Sequence, residues 1–381
     1  MRMPVFRGTK RWLALLSCLL LSSMLFAACG ENSPSILNTA GPVAGNESFL
    51  FWVILIVSSI VFLGVEGALV YSIFRFRERP GMPNPRQLHG NTTLELLWTA
   101  IPTVILLVVL VFTIRGLLQV APEAEPTAAA GPKIEVTAIG HQWWWEFHYS
   151  EWNITTADSM HVPVGTTVHV NLFSNNVIHS FWVPALTGKT DLIPGHANTK
   201  WFVADRTGNY MGICAEYCGT QHANMRFNVI VDTQDNFKTW VSTQQQNAVT
   251  PAAGSLAAQG LQEFKNACTS CHGIVGVDTN NYVDTSKDCV DSIPPNPNDK
   301  AANCPIGPNL THFGARNLIA GGVLENNKAQ CNPDDPQLLE HCNLAQWLNN
   351  PQGVKPGNDM AIGQLNHDQI KSLVAYLESL Q

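Results

Sequence analysis

Two apolar stretches, about residues 49–74 and 94–115, stand out from the polar background of the chain. Each supplies the ~20 apolar residues that a helix needs to cross a bilayer. A shorter apolar run, Leu13 to Phe26, follows the basic segment M-R-M-P-V-F-R-G-T-K-R-W, which is the layout of an export leader. From residue 132 to 241 the rhythm changes to short alternating runs: I-E-V-T-A-I, T-V-H-V-N-L-F, K-W-F-V-A and F-N-V-I-V. Turn residues in P-V-G-T and D-R-T-G-N separate these runs, so the period of two predicts an all-β sandwich or barrel. Beyond residue 257 the pattern is helical, in A-A-Q-G-L-Q-E-F-K-N-A-C and H-D-Q-I-K-S-L-V-A-Y-L-E-S-L. Two stretches without periodicity, Ala121–Pro132 and residues 242–256, are rich in Ala, Pro, Gln and Thr and read as linkers. The second is expected to be a flexible, solvated tether on which the C-terminal unit moves.

Composition agrees with a membrane chain. Charged residues make up 13% of the 381, well below the ~25% usual for soluble proteins. A net charge of −7 without a basic stripe gives no support for nucleic acid as a partner. The segment between the two long apolar runs carries Arg75, Arg77, Arg79 and Arg86 against Glu78. The positive-inside rule puts it in the cytoplasm and both ends of the hairpin outside. The leader ends in L-F-A-A-C-G, which resembles the lipobox of bacterial lipoproteins. That resemblance implies cleavage after residue 28, lipid on Cys29 and a bacterial cytoplasmic membrane. Phe26 departs from the smaller aliphatic residue usual there, and an uncleaved helix is the alternative. Glu66 interrupts the first long run. An ionisable group at that depth is costly and normally faces a partner or a water-filled path; a protonated or snorkelling carboxylate without a role is the alternative.

Residues Cys214 to Met225 read C-A-E-Y-C-G-T-Q-H-A-N-M, which packs two thiols, an imidazole and a thioether into one loop. Thiolate and thioether select copper(I) and similar soft metals, and imidazole suits both copper oxidation states. One Cys would serve a mononuclear blue-copper site. Cys218, four residues after Cys214, allows two thiolates to bridge two copper ions. A Cys214–Cys218 disulfide is the competing arrangement, and it leaves His222 and Met225 unexplained.

This loop resembles the binuclear CuA signature of cytochrome c oxidase subunit II, C-x-E-x-C-x-x-x-H-x-x-M. The segments N-V-I-H-S-F-W-V-P and G-H-Q-W-W-W-E-F match the same family in order, so the resemblance covers roughly residues 45–240. It implies a cupredoxin-like Greek-key barrel over 132–241, with Cys214 and Cys218 bridging and His179, His222 and Met225 as terminal ligands. It implies further that Glu216 binds copper through its carbonyl and a magnesium ion through its carboxylate. Trp143 would accept electrons, although an ordinary core role in the W-W-W cluster is an equal reading for an aromatic of this size. Glu66 would lie near a proton channel of subunit I.

A second redox motif follows. Cys268-Thr-Ser-Cys271-His272 is the C-x-x-C-H pattern of covalent haem c, in which two thiols add to the vinyl groups and the His ligates iron. The one Met beyond it, Met360 in K-P-G-N-D-M, suits the sixth position, because Met ligation raises the potential of an electron carrier. His312, His341 and His367 are the alternatives, with His367 placed at the start of the last helix. G-P-N-L-T and K-P-G-N-D-M both resemble class I cytochrome c, which implies an all-α domain over 257–381. Cys289, Cys304, Cys331 and Cys342 remain, an even number in an exported unit, and predict disulfides. The sequential pairing closes short loops, each worth ~3 kcal/mol, though four Cys allow three pairings. Residues 277–302 exceed what a compact cytochrome needs and read as an insertion.

The whole chain therefore resembles subunit II of a caa-type haem–copper oxidase with a fused cytochrome c. The resemblance implies subunits I and III as membrane partners and haem c, CuA and magnesium as cofactors. The electron donor would be a cytochrome c, a small copper protein or a quinol-oxidising complex. Electrons would pass from haem c to CuA and then to haem a of subunit I for oxygen reduction coupled to proton pumping. A copper-delivery lipoprotein has no use for C-x-x-C-H, and a quinol oxidase subunit II lacks the copper side chains. A membrane-anchored donor to another reductase, such as nitrous oxide reductase, shares the same centres. H-G-N-T-T-L-E-L-L-W-T at the second long helix favours the oxidase.

Overall fold

Gly41 and Pro42 start the first long helix, α1 (Pro42–Arg75), with proline at a position where its missing N–H is no loss. The computed structural model describes residues 16–17, 34–77, 80–81, 90–127, 131–277 and 306–381. Cys29, Arg79, Arg86, Cys289 and Cys304 lie outside those residues, as do nearly all of the 1–28 leader and the 277–302 insertion. Helix α1 has 34 residues, about 50 Å at ~1.5 Å per residue, against a hydrocarbon core of ~30 Å. Its excess lies at the N-terminus. Val43 and Ala44 are buried against the β unit, and the Ala40 N–H donates to Ala185 O at 2.7 Å. Hydropathy marks only the segment beyond this anchor, hence the expected start at residue 49.

Helix α2 (Thr92–Val120) begins at Asn91, whose side chain accepts from the Thr93 and Leu94 N–H groups at 3.1 and 3.2 Å. Phe49 meets Phe112 edge-on at 6.0 Å between ring centres, which ties the two helices together. No residue in the most apolar window of either helix is buried in the isolated chain. An apolar surface of this extent needs lipid or protein to cover it. Glu66 lies on that exposed surface.

Ten strands follow among the described residues: β1 (Lys133–His141), β2 (Trp144–Tyr149), β3 (Ile154–Ala157), β4 (Ser159–Pro163), β5 (Thr167–Ser174), β6 (His179–Trp182), β7 (Thr190–Leu192), β8 (Asn198–Val203), β9 (Gly208–Cys214) and β10 (Arg226–Asp232). They form two five-stranded sheets ordered β3-β2-β1-β5-β8 and β4-β10-β9-β6-β7. Pairs β1–β5 and β4–β10 are parallel, so the chain crosses between sheets instead of running as a plain meander. The hydrogen bonding leaves two separate ladders, a sandwich form of the expected barrel. Trp145, Phe147, Phe181, Phe202 and Phe227 fill the space between them and are fully buried. A Cβ on Gly212 would strike the Phe227 ring, so this glycine makes room for the core.

Helix α3 (Gln234–Gln244), capped by Thr233, lays Phe237 and Val241 on the sandwich. It takes the first three residues of the stretch expected as tether. Helix α4 (Leu256–Ala267), capped by Ser255, opens the C-terminal unit. Short helices α5 (Leu338–His341), α6 (Asn343–Asn349) and α7 (Pro351–Val354) precede α8 (His367–Leu377). The last is started by Asn366 and Gln369 in a reciprocal capping box, and His367 is its first residue. Helices α4 and α8 cross at Gly260, where a Cβ would strike Ser372 O and lie 2.7 Å from Tyr376 Cβ. Around this crossing Phe264, Leu344, Leu348, Ile370, Leu373 and Val374 form a second core. Cys331 and Cys342 are joined by a disulfide, as sequential pairing predicts. The unit is not purely helical: β11 (Leu318–Ile319) and β12 (Leu324–Glu325) form a small antiparallel ladder. The connection after α3 is also fastened, because the Ala248 N–H donates to Val275 O at 3.0 Å.

Candidate metal centre

Strand β9 ends at Cys214 and strand β10 begins at Arg226, so the whole C-A-E-Y-C-G-T-Q-H-A-N-M segment is the loop joining two hydrogen-bonded neighbours. The Cys214 N–H donates to Met225 O at 3.0 Å, which closes the loop on itself. His179 arrives from β6, whose pairing sets Phe181 opposite Cys214. Gly140 on β1 leaves room for the His179 ring, whose Cδ2 would lie 2.8 Å from a Cβ there.

The donors converge. Cys214 Sγ and Cys218 Sγ are 3.7 Å apart, far beyond a disulfide, and both are unpaired and buried. Cys214 Sγ lies 3.8 Å from His179 Nδ1 and 3.2 Å from Glu216 O. Cys218 Sγ lies 3.7 Å from His222 Nδ1 and 3.8 Å from Met225 Sδ. The site thus has two halves, Cys214 with His179 and Glu216 O, and Cys218 with His222 and Met225, that meet at the two sulfurs. The contact with Cys218, together with that from His179, holds the Cys214 thiol far below the ordinary thiol range. The same contact pushes Cys218 upward. Burial lowers the His179 imidazole and keeps it neutral, the form that binds a metal. Two thiols, two imidazoles, a thioether and a carbonyl, buried or half-buried, fit soft copper.

Trp143 lies at this site while Trp145 is fully buried in the core. The Trp143 indole N–H donates to Cys218 O at 3.0 Å, and the Gln142 amide donates to the same oxygen at 2.8 Å. Trp144 stacks on His141 at 4.1 Å between ring centres. The three successive tryptophans therefore have three different environments, a division that the repeated letter conceals.

In the C-terminal unit Cys268 and Cys271 are unpaired one turn apart, and the His272 N–H donates to Cys268 O at 2.9 Å. His272 Nδ1 donates to Pro308 O at 2.8 Å, which leaves Nε2 for a metal. A Cβ on Gly307 would strike the His272 ring at 2.5 Å, so the G-P-N-L segment lies directly against this imidazole. Burial lowers His272. These donors fit covalent haem. Met360 packs against the same core as Cys268. His312 is spoken for, with Gln381 O 2.7 Å from Nδ1 and Gln244 O 3.2 Å from Nε2. His341 is half exposed and faces Asp335 at 3.4 Å.

Sequence reasoning missed Lys355 and Asp158. Lys355 is 3% exposed, and its Nζ donates to Trp143 O, Ala320 O and Asn224 O at 2.6, 2.8 and 3.1 Å. Asp158 is buried, accepts from the Trp145 N–H at 2.9 Å, and is pushed up to about 6 by that burial. The role of Lys355 is hidden in the chain because two of the groups it meets, Trp143 and Asn224, are far away in sequence.

The transmembrane-domain model of cytochrome c oxidase subunit II matches residues 35–115, and the model of its periplasmic domain matches residues 153–233. The curated cytochrome c oxidase subunit 2 of Alkalihalophilus pseudofirmus is 33% identical over 370 residues, 95% of either chain. Quinol oxidase subunit 2 of Bacillus anthracis is 31% identical over 248 residues, 63% of this chain and 82% of that one. The solved periplasmic domain of cytochrome oxidase subunit II from Bradyrhizobium japonicum is 32% identical, covering 29% of this chain and 93% of its own at a TM-score of 0.29. Similarity running nearly end to end, over a loop that gathers copper donors, leads to one assignment: the chain belongs to the cytochrome c oxidase subunit II family, as a two-pass membrane subunit of a haem–copper oxidase with a CuA-type periplasmic domain.

Proposed function

We propose that this subunit takes electrons from an external donor onto a haem c of its own and delivers them through binuclear copper to haem a of subunit I, where oxygen is reduced and protons are pumped. The observation that carries this reading is the pair of sulfurs 3.7 Å apart, each with its own imidazole. When bound, the copper pair shares one electron over two metals, and the haem supplies a one-electron carrier beside it. Cys214, Cys218, His179, His222, Met225 and the Glu216 carbonyl would hold the copper. Cys268 and Cys271 would anchor the haem, with His272 and Met360 as its iron ligands. The occupied nitrogens of His312 support Met360 as the second of these.

Trp143 is the electron-accepting side chain, supported by its indole contact with Cys218 O. Among the described residues the converging donor group is His179, Cys214 and Cys218. A magnesium ion would be held by the Glu216 carboxylate at the contact with subunit I. Glu66, exposed on α1, would face the proton path of that same subunit. In the cell both redox units lie outside a bacterial cytoplasmic membrane, with a further lipid anchor on Cys29 and subunit III alongside. Purification of the complex with its metals tests this. Two coppers and one haem c per chain, with oxygen consumption driven by reduced cytochrome, are expected. A chain with one copper of blue-copper spectrum, or without haem, would sink the reading.

A further inference from the structure

Lys355 belongs to the C-terminal unit, yet two of its three acceptors, Trp143 O and Asn224 O, belong to the β unit, beside the copper loop. A buried ammonium is costly unless its protons are matched. Here all three are, by three carbonyls that no local segment could bring together. Burial draws Lys355 down to about 8, opposed chiefly by the charge of Asp158, so it stays protonated at neutral pH. Arg316 also acts on the Asp158 carboxylate, which it stabilises in its charged form.

Contacts around the lysine run the same way. Gln221, in the copper loop, donates its amide to Pro356 O at 2.7 Å. The Arg226 N–H, at the loop's end, donates to Gly321 O at 3.0 Å. Gly321 has φ 66° and touches Trp143 O so closely that a Cβ would collide with it. From Lys355 a continuous chain of bonds leads in both directions. Its own carbonyl accepts from Asn358 Nδ2 at 2.6 Å, and Asn358 Oδ1 accepts from the Met360 N–H at 2.8 Å. On the other side Trp143 joins its carbonyl, held by Lys355, to the indole that donates to Cys218 O at 3.0 Å.

We infer that Lys355 latches the C-terminal unit onto the copper loop and completes a hydrogen-bonded path from Met360 through Asn358 and Trp143 to Cys218, which makes it a positioning residue for electron transfer between the two centres. This rests on the function proposed above. The step moves one electron: iron is oxidised by one, the copper pair is reduced by one, and no bond or proton changes hands. The expectation of a freely mobile tether is replaced by a seated unit, since Gln221, Arg226 and Lys355 fasten one unit to the other independently of the connection at 245–254.

The test uses the purified full-length chain with Lys355→Met and, from the other side of the same contact, Gly321→Ala. Amide hydrogen exchange at Arg226 reads the latch directly and can be measured with or without metals. Flash-induced haem-to-copper transfer reads the path. Both variants should keep wild-type copper and haem content, exchange Arg226 at least tenfold faster, and transfer electrons at least tenfold more slowly. Wild-type exchange at Arg226 in both variants, or wild-type transfer in loosened ones, would overturn the inference. Failure to take up copper or haem in the unmodified chain would instead defeat the proposed function, and the exchange measurement on the metal-free chain would still decide the latch.

Discussion

The division of the copper loop into two halves makes Cys218→Ser the most informative substitution. Cys218 Sγ is within 3.8 Å of Cys214 Sγ, His222 Nδ1 and Met225 Sδ, so it is the hub of one half and the bridge to the other. A serine hydroxyl is close in size but does not ionise or bind soft metal. His222 and Met225 would retain no thiolate, whereas Cys214, His179 and Glu216 O would keep one thiolate, one imidazole and one carbonyl. The copper count should therefore fall from two to one per chain. Cys218 is 2% exposed, so a buried hydroxyl costs about 1–3 kcal/mol, which a well-packed sandwich tolerates. Metal analysis and electron paramagnetic resonance on the isolated variant, with circular dichroism as the check on folding, read the result. One copper without a delocalised signal is expected. Two coppers sharing an electron in the folded variant would refute the bridged arrangement.

Met360→His should leave haem attached through Cys268 and Cys271 but lower its potential, because the axial ligand tunes the iron; an unchanged potential by redox titration would remove Met360 from the sixth position. Gly260→Ala should destabilise the C-terminal unit by about 1–3 kcal/mol through overpacking, since its Cβ meets Ser372 O, and an unaltered melting temperature would show that α4 and α8 can part at no cost. Burial raises the Glu378 carboxyl to about 7, above the ~4.3 of an unfolded chain. Its contribution is thus full below about pH 4 and is lost as pH rises through 7. Glu378→Gln should therefore raise stability at pH 8 by about 1–2 kcal/mol, allowing for partial solvent screening, and leave it unchanged at pH 4. Equal gains at both pH values in thermal melts would contradict this origin.

Much of this protein was legible in order along the chain. Hydropathy located both membrane helices because lipid selects on every residue of a span, and it stopped short at residue 49 because Val43 and Ala44 answer to the β unit instead. The copper loop was readable because five of its six donors (Cys214, Glu216, Cys218, His222 and Met225) are close in sequence, and soft-ligand chemistry restricts what such a cluster can hold. The C-x-x-C-H motif and the Cys331–Cys342 pair were equally local. What the chain could not disclose were relations between distant segments. Nothing in W-W-W says that Trp143 touches Cys218 while Trp145 fills the core, for a strand's alternation assigns faces but not neighbours. Gly260 looks like a weak point in a helix until α8 is laid across it. Only folding brings three carbonyls, from positions 143, 224 and 320, around Lys355. Local chemistry is written in spacing, whereas the cost of burying a charge is settled by whatever the tertiary structure places beside it.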